Sequence, residues 1–220
     1  ALGHQRLSII DLEGGNQPRR DEEAYLVYNG EVYGYKEQAK LLRSKGVILK
    51  DNSDTETLFQ LLKLYGVEKT LTMIDGMFSF AFYEIKNDTL WLARDPMGEK
   101  PLYYSVKEDG IIFGSEISSL MPALNPNKHA IDESALISYL HLDYIPHEKT
   151  ILSNVTKVMP GQIIKYKNNS IKKSFYTNSK FNNNIHKSFK SPTEQLDKLL
   201  NQSVKDRLIA DVPVGVFLSG

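Results

Sequence analysis

Residues 26–33 read Leu-Val-Tyr-Asn-Gly-Glu-Val-Tyr, and this stretch decides the expected fold. Two runs of β-forming residues flank Asn29-Gly30, and Asn-Gly between such runs is the strongest short-range signal of a β-hairpin. The pair has a second interpretation, because an Asn amide and a Gly backbone N–H are neighbouring donors that can hold the oxygen of an acyl-transfer intermediate. By itself the motif favours the turn.

The composition is that of an ordinary globular protein and excludes several kinds of function. Of the 220 residues 41% are hydrophobic, and 27 Lys and Arg balance 27 Asp and Glu. Without a net charge, no field favours nucleic acid or an anionic membrane, and no apolar run approaches the roughly 20 residues that cross a bilayer. Cysteine is absent, which excludes a disulfide, a thiolate metal site and a cysteine nucleophile within these residues. The histidines have unrelated spacings, so no metal site is predicted.

Both ends indicate a piece of a longer polypeptide. Ala1 leads directly into Gly-His-Gln-Arg without an initiator Met, and Gly220 follows an apolar run. The natural C-terminus of a protein more often consists of polar residues than of such an apolar run. We therefore expect an internal segment of a larger protein.

The first part of the chain predicts alternating strands and helices. Residues 7–11 are typical of a strand, residues 35–45 of a helix and residues 47–50 of a short strand. Ser53 and Glu56 then form a capping box. Behind it, apolar residues repeat with the spacing of one buried helix face: Leu58, Leu61, Leu62 and Tyr65.

The middle of the chain predicts an antiparallel sheet that is covered on at least one face. Apolar and aromatic runs alternate there with turn-forming residues such as Asp-Gly. The predicted elements are hairpins at 78–93 and 101–114, helices at 117–124 and 132–142, and strands between 158 and 166.

A second unit is predicted near the C-terminal end. Residues 177–190 are rich in Asn, Lys and Ser and indicate a surface linker. Ser191, Pro192 and Glu194 then begin a helix. Its apolar stripe is expected to be buried and consists of Leu196, Leu199, Leu200, Val204 and Leu208. A buried strand is expected at 212–218, with a small-residue turn at its carboxyl end, where α/β sheets bind phosphates.

Several charged residues are open to more than one interpretation. Arg6 is either solvated or holds a carboxylate through its planar guanidinium. Asp54 follows a helix cap, where the helix dipole alone favours an acid, unless a cation binds nearby. Arg94-Asp95, at the end of a predicted strand, favours an ion pair or a turn over catalysis.

Taken together, several segments resemble one family, the glutamine-hydrolysing asparagine synthetases. The segments similar to its glutaminase domain are 3–11, 14–18, 29–31, 53–56, 75–78, 93–95, 100–104 and 115–116. Residues 211–220, Asp-Val-Pro-Val-Gly-Val-Phe-Leu-Ser-Gly, resemble the start of its ATP-pyrophosphatase domain. The matches follow the family's order and extend over nearly the whole chain apart from the linker.

The resemblance implies an α+β fold of the N-terminal-nucleophile type, with two antiparallel sheets stacked between helices. A glutaminase domain at 1–176, lacking its N-terminal segment, would be followed by the linker at 177–190. The first helix and strand of an α/β ATP-pyrophosphatase domain would occupy 191–220. In the family, an N-terminal cysteine attacks the side-chain amide of glutamine. The released ammonia amidates aspartate, which ATP has activated as β-aspartyl-adenylate, and AMP and pyrophosphate leave.

The resemblance also implies roles for residues of this chain. Arg6 would hold the α-carboxylate of glutamine, Asp54 its α-ammonium group, and Asn29 and Gly30 the oxyanion. Glu31 would line the same site, together with the main chain of Leu7, Ser8, Ile9 and Ile10. Leu218, Ser219 and Gly220 would enter the pyrophosphate-binding loop. ATP and Mg²⁺ would therefore bind mostly outside this chain, and no cofactor is expected on the chain itself.

Three interpretations stay open, because the cysteine is missing and the family's C-terminal half, which mostly sets the choice of acceptor, is not in this sequence. The leading one is part of a cytoplasmic asparagine synthetase with glutamine, aspartate and ATP as small-molecule partners, inactive as an isolated chain. The second is an amidotransferase of the same family that acts on another carboxylate. The third is a degenerate domain that binds an amino acid without catalysis. No nucleic-acid or membrane partner is expected, and a homodimer is left open. Glu99, where the family usually has an apolar residue, leaves the local packing undetermined.

Overall fold

Two antiparallel sheets form the centre of the protein, whose computed structural model describes residues 1–7, 9–124, 130–177 and 192–217. The strands are β1 (Arg19–Arg20), β2 (Ala24–Tyr33), β3 (Asp75–Glu84), β4 (Thr89–Arg94), β5 (Tyr103–Lys107), β6 (Gly110–Gly114), β7 (Thr156–Lys157), β8 (Gln162–Lys167) and β9 (Ser170–Phe175). The helices are α1 (Tyr35–Ser44), α2 (Asp54–Tyr65), α3 (Val67–Leu71), α4 (Ile117–Leu120), α5 (Glu133–Leu142) and α6 (Pro192–Arg207), with a 3₁₀ turn at Met121–Ala123. No helix among the described residues is long and apolar enough to cross a membrane.

The larger sheet has the strand order β1-β2-β3-β4-β8-β9, and the smaller sheet has the order β6-β5-β7. Every neighbouring pair is antiparallel. The two ten-residue strands β2 and β3 pair over their whole length, from Ala24 opposite Glu84 to Tyr33 opposite Asp75. This long pair fixes the position of every side chain on β2.

A different layer covers each face of the larger sheet. Because side chains alternate across a strand, Phe80 and Ala81 of β3 point to opposite faces. Phe80 belongs to a core that includes Leu58 of α2, whereas Ala81 belongs to a second core that includes Tyr104 of β5. Helix α4 packs on the smaller sheet through Leu120. The predicted sandwich of two antiparallel sheets between helices is therefore confirmed.

Local sequence signals predicted several elements correctly. The hydroxyl of Ser53 accepts the N–H of Glu56 at 3.0 Å, so Ser53 caps α2 as expected. The reciprocal half of the predicted capping box is absent, because the Ser53 N–H donates to Asp51 instead. The side chain of Asp132 likewise accepts the N–H of Ala135 at the start of α5. Both hairpins form, as β3-β4 and β5-β6, and α1 lies where a helix was predicted.

The predicted turn at Asn29-Gly30 and two short predicted strands are wrong. Asn29 and Gly30 lie in the middle of β2, where they pair with Ser79 and Phe78. The described residues of 7–11 and residues 47–50 form no strand. Side chains bind these segments instead; the Lys50 N–H, for example, donates to Glu56 Oε1 at 3.1 Å. An extended segment becomes a β-strand only when its backbone pairs with a neighbouring strand, and neither segment has such a neighbour among the described residues.

The predicted burial of the C-terminal unit is also wrong for the described residues. The apolar stripe of α6 is exposed, with Leu199 61% accessible to solvent. Residues 212–217 form no strand, and Phe217 is fully exposed. The stripe forms at helical spacing, but the described chain contains no layer that packs against it. Most of the 177–190 linker, Ser191 and Leu218 lie outside the described residues.

Arg94 and Asp95 build a turn, which confirms the structural interpretation of this pair. The buried carboxylate of Asp95 accepts the N–H groups of Met97, Glu99 and Lys100 at 2.9–3.0 Å. The guanidinium of Arg94 donates to three carbonyl oxygens, one of them that of Lys100 at 2.7 Å. The turn fixes the backbone at Lys100, a residue that belongs to the candidate site.

Asp95→Ala should destabilise the protein by about 3 kcal/mol or more, because several N–H groups at this turn would lose their acceptor. Urea unfolding followed by circular dichroism measures the loss. Asp109→Ala is the matched control, since Asp109 is exposed in a β-turn and only approaches Lys107 at 3.9 Å; it should change stability by less than about 0.5 kcal/mol. Equal effects of the two substitutions would contradict this role of Asp95.

Candidate functional site

A cavity of about 620 Å³ opens beside the middle of β2, between the N-terminal segment, the start of α2 and the residues that follow β6. Each described residue that was predicted to bind glutamine lines it: Arg6, Leu7, Ile9, Ile10, Asn29, Gly30, Glu31 and Asp54. Ser8 and the predicted nucleotide-loop residues Leu218, Ser219 and Gly220 lie outside the described residues. The structure therefore brings a cation, two carboxylates and an Asn-Gly pair to one space.

Arg6 holds the loop that forms one wall of this cavity. Its guanidinium donates to the carbonyl oxygens of Gly14, Ile10 and Asp11 at 2.5, 2.6 and 2.9 Å. A Cβ atom placed on Gly15 would lie 2.7 Å from Nη2 of Arg6 and 3.0 Å from Cβ of Ser53. The guanidinium thus lies beside the N-terminus of α2. Its predicted contact with a carboxylate ligand stays a prediction.

The Gly30 N–H points sideways from β2, away from β3 and toward the cavity. On the same strand, the Tyr28 N–H donates to Gln17 Oε1 at 2.6 Å and the Val32 N–H to Asp54 Oδ2 at 3.1 Å. Alternate residues of a strand present their N–H groups to the same side. The Gly30 N–H therefore points between the Gln17 amide and the Asp54 carboxylate.

Only glycine fits at position 30. Its φ of 144° lies in a region that other residues rarely adopt. A Cβ atom there would lie 2.0 Å from the carbonyl oxygen of Met77 on β3. The side chain of the preceding Asn29 lies within 3.5 Å of the Ser115 hydroxyl, which follows β6. Asn29 and Gly30 thus supply two donors next to each other without forming a turn.

Asp54 is a buried carboxylate at the first position of α2. It is 5% exposed, and its Oδ2 accepts the Tyr28 hydroxyl at 2.8 Å as well as the Val32 N–H. Burial raises the pKa of Asp54, although both of these hydrogen bonds and the charge of Arg6 oppose the rise. Burial and the neighbouring Asp54 also raise the pKa of Tyr28 well above its usual value.

Glu31 places a second carboxylate in the same corner. It is 8% exposed, and its Oε1 has no hydrogen-bond partner among the described residues. Burial, followed by repulsion from Asp54, raises the pKa of Glu31 to about 7, while the charge of Lys100 lowers it. An unpaired buried carboxylate beside a second one is unfavourable unless a cation joins them. The corner is therefore suited to an ammonium group.

The sequence did not indicate several residues of this site. Gln17, Lys100 and Ser115 lie inside the motifs that carry the family resemblance, yet no spacing predicted that they line the cavity. Tyr28 was predicted only as an aromatic residue of a strand. Its hydroxyl meets Asp54, which lies 26 positions away in the chain, so no local pattern could show this contact.

The described residues include no group of three or more His, Asp or Glu side chains that could hold a metal ion. The described lining of the cavity supplies charged groups and hydrogen-bond donors. A guanidinium, two carboxylates and two amide donors can bind a free amino acid and stabilise negative charge on an oxygen atom.

The protein has the N-terminal-nucleophile type of fold that is seen in solved glutamine amidotransferases. The solved structure of the glutamine phosphoribosylpyrophosphate amidotransferase of B. subtilis, in complex with ADP and GMP, superposes with a TM-score of 0.51 at 19% identity. The superposition covers 73% of this chain and 32% of that one. At this identity the likeness shows the fold alone.

Sequence comparison is more specific. Residues 1–177 match the family described as glutamine amidotransferase domain, and residues 195–220 match asparagine synthase. The chain therefore belongs to the glutamine amidotransferase domain family. It is 38% identical to asparagine synthetase [glutamine-hydrolyzing] 1 of Bacillus subtilis (strain 168), covering 100% of this chain and 34% of that relative. It is 34% identical to amidase chry2 of Gibberella zeae, and this alignment covers 100% of this chain and 33% of that relative. The chain spans about a third of the length of these relatives.

Glu31 should titrate near pH 7 in the ligand-free protein, and its two charged neighbours should move its pKa in opposite directions. Lys100→Gln removes a favourable positive charge and should raise the pKa, whereas Asp54→Asn removes a repulsive negative charge and should lower it. Carbon-detected NMR titration of the side-chain carboxyl group measures both changes. Lys107→Gln, on β5, is the control and should leave the pKa of Glu31 unchanged. A wild-type value near 4.5 would contradict the described environment.

Proposed function

We propose that this chain is the glutamine-binding part of a glutamine-hydrolysing asparagine synthetase. Glutamine hydrolysis would supply ammonia for the ATP-dependent, AMP-forming amidation of aspartate to asparagine. The observation that carries the proposal is the convergence of Arg6, Asn29-Gly30, Glu31 and Asp54 on one cavity. A cytoplasmic location, and glutamine, aspartate and ATP as small-molecule partners, belong to the same proposal.

Charge complementarity determines how glutamine would lie in the cavity. The α-carboxylate would approach the guanidinium of Arg6 at the N-terminus of α2, where the helix dipole also favours an anion. The α-ammonium group would lie between Glu31 and Asp54, whose charges are otherwise poorly balanced. Binding would then satisfy the Glu31 oxygen that lacks a partner among the described residues.

This orientation brings the side-chain amide of glutamine toward the Asn-Gly pair. The Asn29 side-chain amide and the Gly30 N–H would hold the oxygen of the tetrahedral intermediate, which carries a negative charge as the carbonyl is attacked. Loss of one such donor typically reduces the rate by ~10²–10³. Because the long β2-β3 pair fixes the direction of the Gly30 N–H, this donor is in place before the substrate arrives.

The nucleophile would come from a residue outside this chain, since the 220 residues contain no cysteine. In the family that the chain resembles, this residue is an N-terminal cysteine whose own amino group takes up the proton. ATP and Mg²⁺ would bind beyond the segment that leads to Leu218, Ser219 and Gly220. The chain by itself is accordingly proposed to be inactive.

A second candidate function is amidation of a carboxylate other than aspartate. The observation that favours it is the 34% identical relative that bears the name amidase rather than asparagine synthetase. The residues that line the described cavity would bind glutamine in either case. Formation of asparagine by the full-length protein distinguishes the two functions.

Asp54→Asn in the full-length protein should raise the KM for glutamine by about tenfold or more while the rate with saturating free ammonia stays within about twofold. The reason is that Asp54 would contact only the ammonium group of glutamine. Asparagine formation from aspartate and ATP, measured by chromatography with either nitrogen source, gives both values.

Asp132→Asn is the matched control, because Asp132 caps α5 and does not line the cavity; it should leave the KM for glutamine unchanged. An equal loss with glutamine and with ammonia would contradict the role of Asp54. Glutamine hydrolysis without asparagine formation would favour the second candidate. A full-length protein without an N-terminal cysteine and without either activity would support a degenerate binding domain instead.

A further inference from the structure

Asp211, which lies beyond α6, makes two hydrogen bonds to the loop at one wall of the cavity. Its Oδ2 accepts the N–H of Asp11 at 2.8 Å, and its own N–H donates to the carbonyl oxygen of Ile9 at 3.0 Å. Neighbouring residues add to this contact. The guanidinium of Arg207 lies 4.7 Å from the ring centre of Tyr33, and Ile209 packs against the core between the larger sheet and α2.

The same loop connects the two ends of the proposed glutamine site. The carbonyl oxygen of Asp11 accepts a hydrogen bond from Arg6. The carboxylate of Asp11 accepts the N–H groups of Gly14 at 2.9 Å and Asn52 at 3.0 Å. Asn52 immediately precedes the cap of α2, which begins with Asp54. Asp11 therefore binds the loop, the arginine and the start of the helix at once.

The backbone conformation of Asp11 makes its contacts matter. Its φ of 51° is left-handed, which aspartate adopts more readily than most residues but which is still less favourable than a negative φ. The acceptor for its N–H is the carboxylate of Asp211, which is 200 positions away in the chain. Without this acceptor the loop would lose one of the contacts that fix its carbonyl groups toward Arg6.

We propose that Asp211 is a positioning residue for glutamine, acting through Asp11 on Arg6 and on the start of α2. The inference rests on the proposed function and adds a residue to it. Asp211 lies in the segment that matches asparagine synthase, whereas Asp11 lies in the segment that matches the amidotransferase domain. The two hydrogen bonds of Asp211 thus connect the two matched segments directly, and Asp211 immediately precedes residues 212–217.

Asp211→Ala in the full-length protein should raise the KM for glutamine by about five- to tenfold, because the loop that orients Arg6 loses an acceptor. The KM for ATP and the rate with saturating ammonia should stay within about twofold. Asp211→Asn keeps an oxygen acceptor at the same position and should recover most of the affinity. Asp197→Ala, at an exposed position of α6, is the matched control and should have no effect on the KM for glutamine. If Asp211→Ala does not fold, Asp211→Ser, whose hydroxyl is too short to reach Asp11, takes its place.

Two results would overturn this inference. One is an unchanged KM for glutamine in the alanine or serine variant, and the other is an equal loss with glutamine and ammonia, which a general structural defect would produce. Both leave the proposed function intact as long as the wild-type protein hydrolyses glutamine. A wild-type protein that binds and hydrolyses no glutamine would instead remove the proposed function, and this inference with it.

Discussion

The carboxyl groups of Asp54 and Glu31 are held in one buried corner, and the free energy of keeping them there depends on what neutralises them. In the ligand-free protein Glu31 retains its proton up to about pH 7, whereas the unfolded chain releases it near pH 4.5. Stability contributed at this residue therefore falls as the pH rises from about 4.5 to 7, by a total on the order of 3 kcal/mol. An ammonium ligand reverses this penalty. Two buried carboxylates repel each other, and for the same reason they attract a cation that lies between them.

The surrounding backbone buries the carboxylates of Glu31 and Asp54 and holds them near the hydrogen-bond donors of the site. Pairing of β2 with β3 fixes the side of the strand to which the Gly30 N–H points. The capping of α2 by Ser53 fixes Asp54, and Arg6 fixes the loop opposite. Arg6, Gly30 and Asp54 lie far apart in the sequence. The site exists because the sheet, the helix and the loop meet beside the middle of β2.

The sequence predicted the parts of the fold that local chemistry determines. The cap of α2 at Ser53 and the hairpin between β3 and β4 depend on neighbours within a few residues, and both are confirmed. Asn29-Gly30 was predicted as a turn and lies mid-strand, because pairing with β3 outweighs the local preference. For the site, the family resemblance named Arg6 and Asp54 as candidates, but it could not show that Tyr28 bonds Asp54 or that Asp211 bonds the loop. Those contacts depend on tertiary structure alone.

The most direct test of this account is the number of protons exchanged when glutamine binds at pH 7. Isothermal titration calorimetry of the full-length protein, with its proposed nucleophilic cysteine replaced by alanine, is carried out in two buffers of different ionisation enthalpy. Because Glu31 would be half protonated before binding and ionised beside the ammonium group afterwards, about 0.5 proton should be released per glutamine. Glu31→Gln should abolish this release. Glutamine binding without proton release in the unsubstituted Glu31 protein would contradict the account.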